Sequence, residues 1–166
     1  MLTNPSEIAV PNLNDPERLL IWSIREWVIC VMRAKDPIPK LIEGFSKVLI
    51  QEAVMPFNKI MRTISYSSSL PIDVKCHCSN LIGRTEIDLL CLIAIIQNKL
   101  PFDLDRIIKI YNKQYHMEML KQSNKFVESL NRAEIIIPVR NEFLNQYQKN
   151  KNEICNNIIY YNFRKK

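Results

Sequence analysis

Residues 85–96 read TEIDLLCLIAII, and this stretch decides the fold. Eight apolar residues in a row, Leu89 to Ile96, follow Thr85-Glu86-Ile87-Asp88. That opening resembles a capping box with aspartate in the usual glutamate place. The helix it starts, over about 86–98, is apolar on every side, and such a helix sits comfortably in water only when it is enclosed. Other helices of the chain, or a second copy, must surround it. The pattern therefore predicts a helical bundle and makes a homodimer or a protein partner an expectation. Eight residues fall short of the roughly 18 needed to cross a bilayer, so no membrane span is expected.

The segments on either side supply helices with which to enclose it. Asp15-Pro16 and Asp36-Pro37 each read as an N-cap followed by proline at the first helical position. The first opens a helix over about 15–34, with Arg18, Arg25, Glu26 and Arg33 in one polar stripe and Leu20, Ile24, Trp27, Val28 and Val31 opposite. Trp22 and Met32 join its apolar flanks, and large residues such as these and Met61 at helical spacing read as core. A second helix, about 37–50, presents Leu41, Ile42, Phe45, Val48 and Leu49, with Gly44 placed for close helix approach. A third, about 52–67, buries Val54, Phe57, Ile60, Met61 and Ile64. Downstream, Asp103 is expected to cap a helix carrying Leu104, Ile107, Ile108, Tyr111 and Tyr115 on one face, and helix continues to about Arg132. Residues 133–139, AEIIIPV, read as an extended segment or a short β element, with Pro138 excluding a central strand. The fold expected is all-α: one domain over residues 1–166, a bundle of about five to six helices, with residues 1–14 and 157–166 as flexible termini.

One long irregular segment, about 67–84, interrupts the helices. Loops of that length inside a compact domain are uncommon and more often functional than connective. Composition narrows the rest. Two glycines in 166 residues argue against an all-β fold of tight turns and exclude glycine-rich dinucleotide and P-loop phosphate cradles. The chain carries 23 basic and 17 acidic residues for a net charge of +6, all of it in residues 99–166, because residues 1–98 balance ten against ten. The N-terminus has no basic-then-apolar secretory pattern. An odd count of five cysteines, three in apolar or helical surroundings, fits reduced thiols and a cytoplasmic location.

Within the loop, Cys76-His77-Cys78 is the sharpest local feature. Thiolate and imidazole suit zinc, and a C-x-C pair puts two sulfurs on one side of an extended chain while turning the middle residue away. A zinc site would join Cys76 and Cys78 to a distant ligand such as His116. No second C-x-x-C or H-x-x-H completes it, so the expectation is no cofactor, with zinc the candidate to test. A thiol nucleophile would need an imidazole within reach and a helix start near the loop to depress its pKa. The basic part offers a nucleic-acid surface: Arg106, Lys109 and Lys113 in one stripe with His116, and Lys121, Lys125 and Arg132 in another. Tyr111 and Tyr115 fall on the opposite face, which leaves those stripes without stacking platforms. The carboxylate pairs Glu86/Asp88 and Asp103/Asp105 stand at helix starts, where dipole capping accounts for them. No complete catalytic set is present. The sequence is read as a small intracellular, non-catalytic interaction or regulatory protein. A nucleic-acid binder using residues 99–166 is the first alternative, and a metal- or thiol-dependent sensor at Cys76/Cys78 the second.

Overall fold

Residues 9–147 are described here from a computed structural model. They form an all-α bundle of seven helical segments, with no strand among the described residues. These are α1 (Asp15–Met32), α2 (Ile38–Ser46), α3 (Val54–Ser67), α4 (Arg84–Gln97), α5 (Asp105–Ile108), α6 (His116–Arg132) and α7, helical over residues 141–147. One hydrophobic core runs from Leu13 to Tyr147. α4 lies in it with every residue from Thr85 to Ile95 buried. Its neighbours α1 and α6 come from the same chain, α6 also packs on α3, and α2 closes against α1 and α3. Phe45, Phe57 and Phe126 meet at ring separations of 5.7, 6.1 and 5.5 Å, which ties α2, α3 and α6 together.

The five expected core residues of α3 are all buried, while α2 contributes only Leu41 and Phe45. It stops at Ser46, so Val48 and Leu49 fall beyond its face and are exposed with Ile42. Met32, at the last turn of α1, is also exposed, whereas Trp27 and Met61 are core. Trp27 donates its indole N–H to Asn58 at 2.8 Å, which satisfies the polar handle of a buried ring. The helix expected to start at Asp103 is a single turn, α5. Asp103 does accept the N–H of Asp105 at 3.1 Å, but the chain then leaves the helix at Tyr111 to pair with Ser68, and helix resumes at His116. The 133–139 segment forms no strand; the isolated bridges are Ala9–Leu81 and Ser68–Tyr111. Residues 1–8 and 157–166 of the expected termini lie outside the described residues, while 9–14 are held, with the Val10 N–H on the Asn80 carbonyl at 2.7 Å and Leu13 buried.

The helix starts differ from the Asp-Pro reading by one residue. Asn14 caps α1 in a capping box with Glu17, and Pro37 stands before α2 while Asp36 accepts the Ile38 N–H at 3.0 Å. The helix ends show what glycine scarcity costs. Ala34, Leu49, Lys99 and Glu134 have φ of 53°, 60°, 50° and 56°, each just past a helix. The next residue in each case returns its N–H to the helix: Lys35 to Cys30, Ile50 to Phe45, Leu100 to Ile95 and Ile135 to Leu130, at 2.8–3.1 Å. These are Schellman ends with a side chain where glycine is usual. A left-handed non-glycine residue costs about 1–2 kcal/mol, partly offset by the lower entropy of its unfolded chain.

Leu49 is 85% exposed, so it loses little packing on truncation. Leu49→Gly is therefore expected to stabilise the fold by about 0.5–1 kcal/mol, read as a raised urea midpoint. Ser46→Gly, at the last residue of α2 where φ is not positive, should give no such gain. Equal losses for both would mean that strain at position 49 is absent.

Candidate functional site

The 68–83 segment between α3 and α4 is irregular, and its backbone carbonyls need donors. One side chain provides donors for three of them. Arg25, buried in the middle of α1, donates to the carbonyls of Cys76 (3.0 Å), Ser79 (2.8 Å) and Leu81 (2.7 Å). Its Nε lies 2.6 Å from Glu86 Oε1, a pair with side chains 3% and 0% exposed. Glu86 in turn takes the Gly83 N–H at 2.5 Å and starts α4. The capping acid is thus Glu86 rather than Asp88, and the cap residue is Gly83 rather than Thr85. The sequence stripe that placed Arg25 in water is overturned at this position, because the loop folds over it. Glu17, on the same helix, is also buried and accepts from Arg140 before α7.

The loop enters this clamp at Asp73. Its Oδ2 accepts the Arg84 N–H at 2.8 Å, its own N–H goes to Thr85 Oγ1 at 3.0 Å, and its carbonyl takes the Thr85 N–H at 3.1 Å. Burial opposes ionisation of Asp73, but Lys75 at 2.6 Å and the Arg84 N–H hold its carboxyl below the ordinary range. Gly83 is required by contact, not by dihedral freedom: a Cβ there would stand 2.2 Å from the Asp73 carbonyl oxygen.

At the tip, Cys76 and Cys78 are joined by a disulfide with Cα atoms 5.4 Å apart, and all of 76–78 is exposed. This departs from the expected reduced thiols at these two positions. Residues 76–79 form a turn rather than the extended segment expected, with the Ser79 N–H on the Cys76 carbonyl at 3.0 Å, and His77 Nε2 lies 3.0 Å from Glu26 Oε2 on α1. His116 is occupied elsewhere, 2.9 Å from the Tyr111 carbonyl. The structure therefore does not gather Cys76, Cys78 and His116, and no group of three or more metal-ligating residues occurs among the described residues. Neither imidazole is placed as a base for these sulfurs. Cys30 and Cys91 are free and buried. Burial, with Glu26 beside it, pushes the Cys30 thiol up, and burial pushes Cys91 up further. Both are poor nucleophiles at neutral pH. Cys155 lies outside the described residues.

The basic residues of the nucleic-acid reading are scattered by the break between α5 and α6. Lys109 and Lys113 are exposed on separate short turns, and Arg106 is half-buried, 3.7 Å from Asp103. Lys121 and Lys125 do share an exposed face of α6, which also carries Glu128, while Arg132 pairs with Glu52 at 3.4 Å. Tyr111 is buried, and Tyr115 packs edge-on against Tyr66 at 5.0 Å.

A second polar cluster is internal. Asp88 on α4 takes the hydroxyl of Tyr147 and the Arg84 Nε (2.9 Å) on one oxygen, while its other oxygen has no partner among the described residues. Burial pushes the Asp88 carboxyl up, against the lowering by Tyr147 and Arg84. No helix among the described residues is long and apolar enough to cross a membrane. No protein-family model, curated protein or solved structure matches this chain.

Removing one member of a buried, hydrogen-bonded ion pair costs about 3–5 kcal/mol. Arg25→Ala should lose that much in chemical denaturation and release hydrogen-exchange protection around 76–86 before the rest of the molecule opens. Protection lost evenly across all helices would show that Arg25 does not hold this loop in particular. Asp88 gives the opposite sign. A carboxyl raised in the folded state stabilises it below its unfolded value of about 3.9, and that stability is lost as pH rises through the raised value. Asp88→Asn keeps the acceptor for Tyr147 and cannot ionise. Its stability relative to the parent should rise between about pH 4 and neutrality; a difference flat with pH would mean Asp88 is not perturbed.

Proposed function

We propose that this is a non-catalytic regulatory protein whose Cys76–Cys78 pair is a reversible thiol–disulfide switch. The observation that carries the reading is an exposed disulfide joining residues two apart on a loop already fixed by Arg25. As a staple it contributes little. Closing so short a loop is worth roughly 1.6 kcal/mol in the chain-entropy model, against about 3–5 for bridges that close long ones. It also spans no two elements, so folding does not need it. Exposed disulfides of this kind are the ones open to exchange, whereas structural ones resist reduction.

The exchange balances with a dithiol partner. One partner thiolate attacks one sulfur of the pair, a mixed disulfide forms, and the other cysteine leaves as a thiolate that takes up a proton. The partner's second thiol then closes its own disulfide and releases the first cysteine as a thiol. Two electrons pass from partner to protein. What changes in the protein is the loop surface: a closed ring becomes two free thiols beside the His77–Glu26 pair. The backbone beneath stays pinned by the Cys76, Ser79 and Leu81 carbonyls.

Equilibration of the intact protein in dithiol redox buffers, with alkylation and mass spectrometry, tests this. Reduction is expected at a potential above about −300 mV, with far-UV circular dichroism unchanged. Cys76→Ser/Cys78→Ser should fold and lose less than about 2 kcal/mol. A pair that stays oxidised until the protein unfolds, or a double variant that fails to fold while Cys30 and Cys91 remain reduced, would make the disulfide structural and end the reading.

A further inference from the structure

We infer that the cleft between α1 and α2 binds a small zwitterionic thiol, of amino-acid or short-peptide class, and delivers it to the Cys76–Cys78 pair. This rests on the thiol–disulfide reading above and names the co-reactant that the site is shaped to take. The cleft has a volume of about 380 Å³. That lies near the lower end of small-molecule sites, about 300–1,000 Å³. Its depth comes from the sequence. Gly44 admits the tip of Trp22 so closely that a Cβ would stand 2.1 Å from the ring, and α1 and α2 meet there.

The lining combines an apolar floor with balanced charge. Trp22 and Leu19 supply the apolar surface, and Glu26, Lys40, Glu43 and Lys47 supply two charges of each sign. A ligand with both carboxylate and ammonium groups meets both signs of this lining. The lysines are not equally compensated. Lys40 lies 2.9 Å from Glu43, and Lys47 lies 3.8 Å from the same carboxylate, so Lys47 is the freer cation for a ligand carboxylate. These side chains are 56–72% exposed, so screening keeps each contact weak and the expected affinity is about millimolar.

The cleft reaches the disulfide through one residue. Glu26 lines it and holds His77, the residue between the two cysteines, at 3.0 Å. Glu26 thus joins the lining of the cleft to the residue between the two cysteines, and on this proposal a thiol seated there approaches the bond from the Glu26 side, which raises its effective concentration. The step balances without another reagent. The ligand thiolate bonds to one sulfur as the Cys76–Cys78 bond breaks, and the freed sulfur takes up a proton. A second ligand thiol then displaces the first as the symmetrical disulfide, leaving two protein thiols.

Two measurements separate cleft from chemistry. S-methylglutathione keeps the charges and has no thiol. It is expected to shift the Trp22 indole N–H resonance in the oxidised protein and in Cys76→Ser/Cys78→Ser alike, and Lys40→Glu/Lys47→Glu should weaken it about tenfold. Reduced glutathione should form the mixed disulfide several-fold faster than uncharged 2-mercaptoethanol, corrected for thiol pKa, and the double lysine variant should erase that advantage. Trp22 unmoved by about 10 mM S-methylglutathione, with the pair still reduced by dithiols, would overturn the cleft inference and leave the redox reading standing. A normal Trp22 shift in a protein whose pair no thiol opens would overturn the redox reading, and delivery with it.

Discussion

The buried pairing of Arg25 with Glu86 is the constraint on which the rest of the molecule hangs. It joins the middle of α1 to the first turn of α4, the helix with no face that water can tolerate. It also satisfies three carbonyls of a loop that has no ladder of its own. A guanidinium has five N–H donors in a rigid fork, and here the carboxylate and the three carbonyls share them. A lysine in this place would bring three donors and no plane, leaving part of the loop unsatisfied. A buried ion pair is not in itself stabilising, because desolvation consumes most of its Coulomb gain. What it provides is position: the loop has one low-energy path across α1, and that path carries Cys76 to Cys78 to the surface.

Close backbone approach repeats the same logic at two points. The chain has only two glycines, and both stand where a side chain would collide, Gly44 under Trp22 and Gly83 against the Asp73 carbonyl. Neither has positive φ. The four left-handed helix ends are instead filled by alanine, leucine, lysine and glutamate, where strain is tolerable because the residue faces water. Glycine is thus kept for close contacts, with a packed tryptophan ring at Gly44 and with backbone at Gly83, and dihedral strain is accepted at exposed helix ends. The first contact makes the α1–α2 cleft and the second sets the angle at which the loop enters α4.

The helical class, the five apolar positions of α3 and the enclosure of α4 follow from periodicity alone, since 3.6-residue spacing and an all-apolar run leave few other solutions. The loop at 67–84 was visible as well, by its proline, its serines and its lost period. Arg25 was not. On α1 it shares a seven-residue spacing with Arg18, and only Arg18 is exposed; nothing in the pattern separates an arginine facing water from one facing another segment of chain. Glu86 was hidden likewise, because a carboxylate at a helix start is explained by the dipole before a distant partner is sought. The one available signal was indirect: a long loop has carbonyls to satisfy, and arginine is the side chain with donors enough. The α5 break escaped for the complementary reason, since its residues keep helical spacing while Tyr111 gains more by entering the core and pairing beside Ser68.

These constraints also set the thiols of the described residues apart from one another. Cys30 and Cys91 lie under the same burial that raises their thiols, so the interior that stabilises the bundle silences them. Among the described residues, only at the loop tip are two sulfurs exposed, adjacent and fixed from below. If the loop were mobile, opening the disulfide would dissipate into disorder of the whole segment. With the carbonyls of Cys76, Ser79 and Leu81 held by Arg25, the change between ring and dithiol is confined to the few side chains around His77 and Glu26. Under the proposed switch, a rigid base beneath a small exposed tip would let a two-electron event alter a surface without altering the fold.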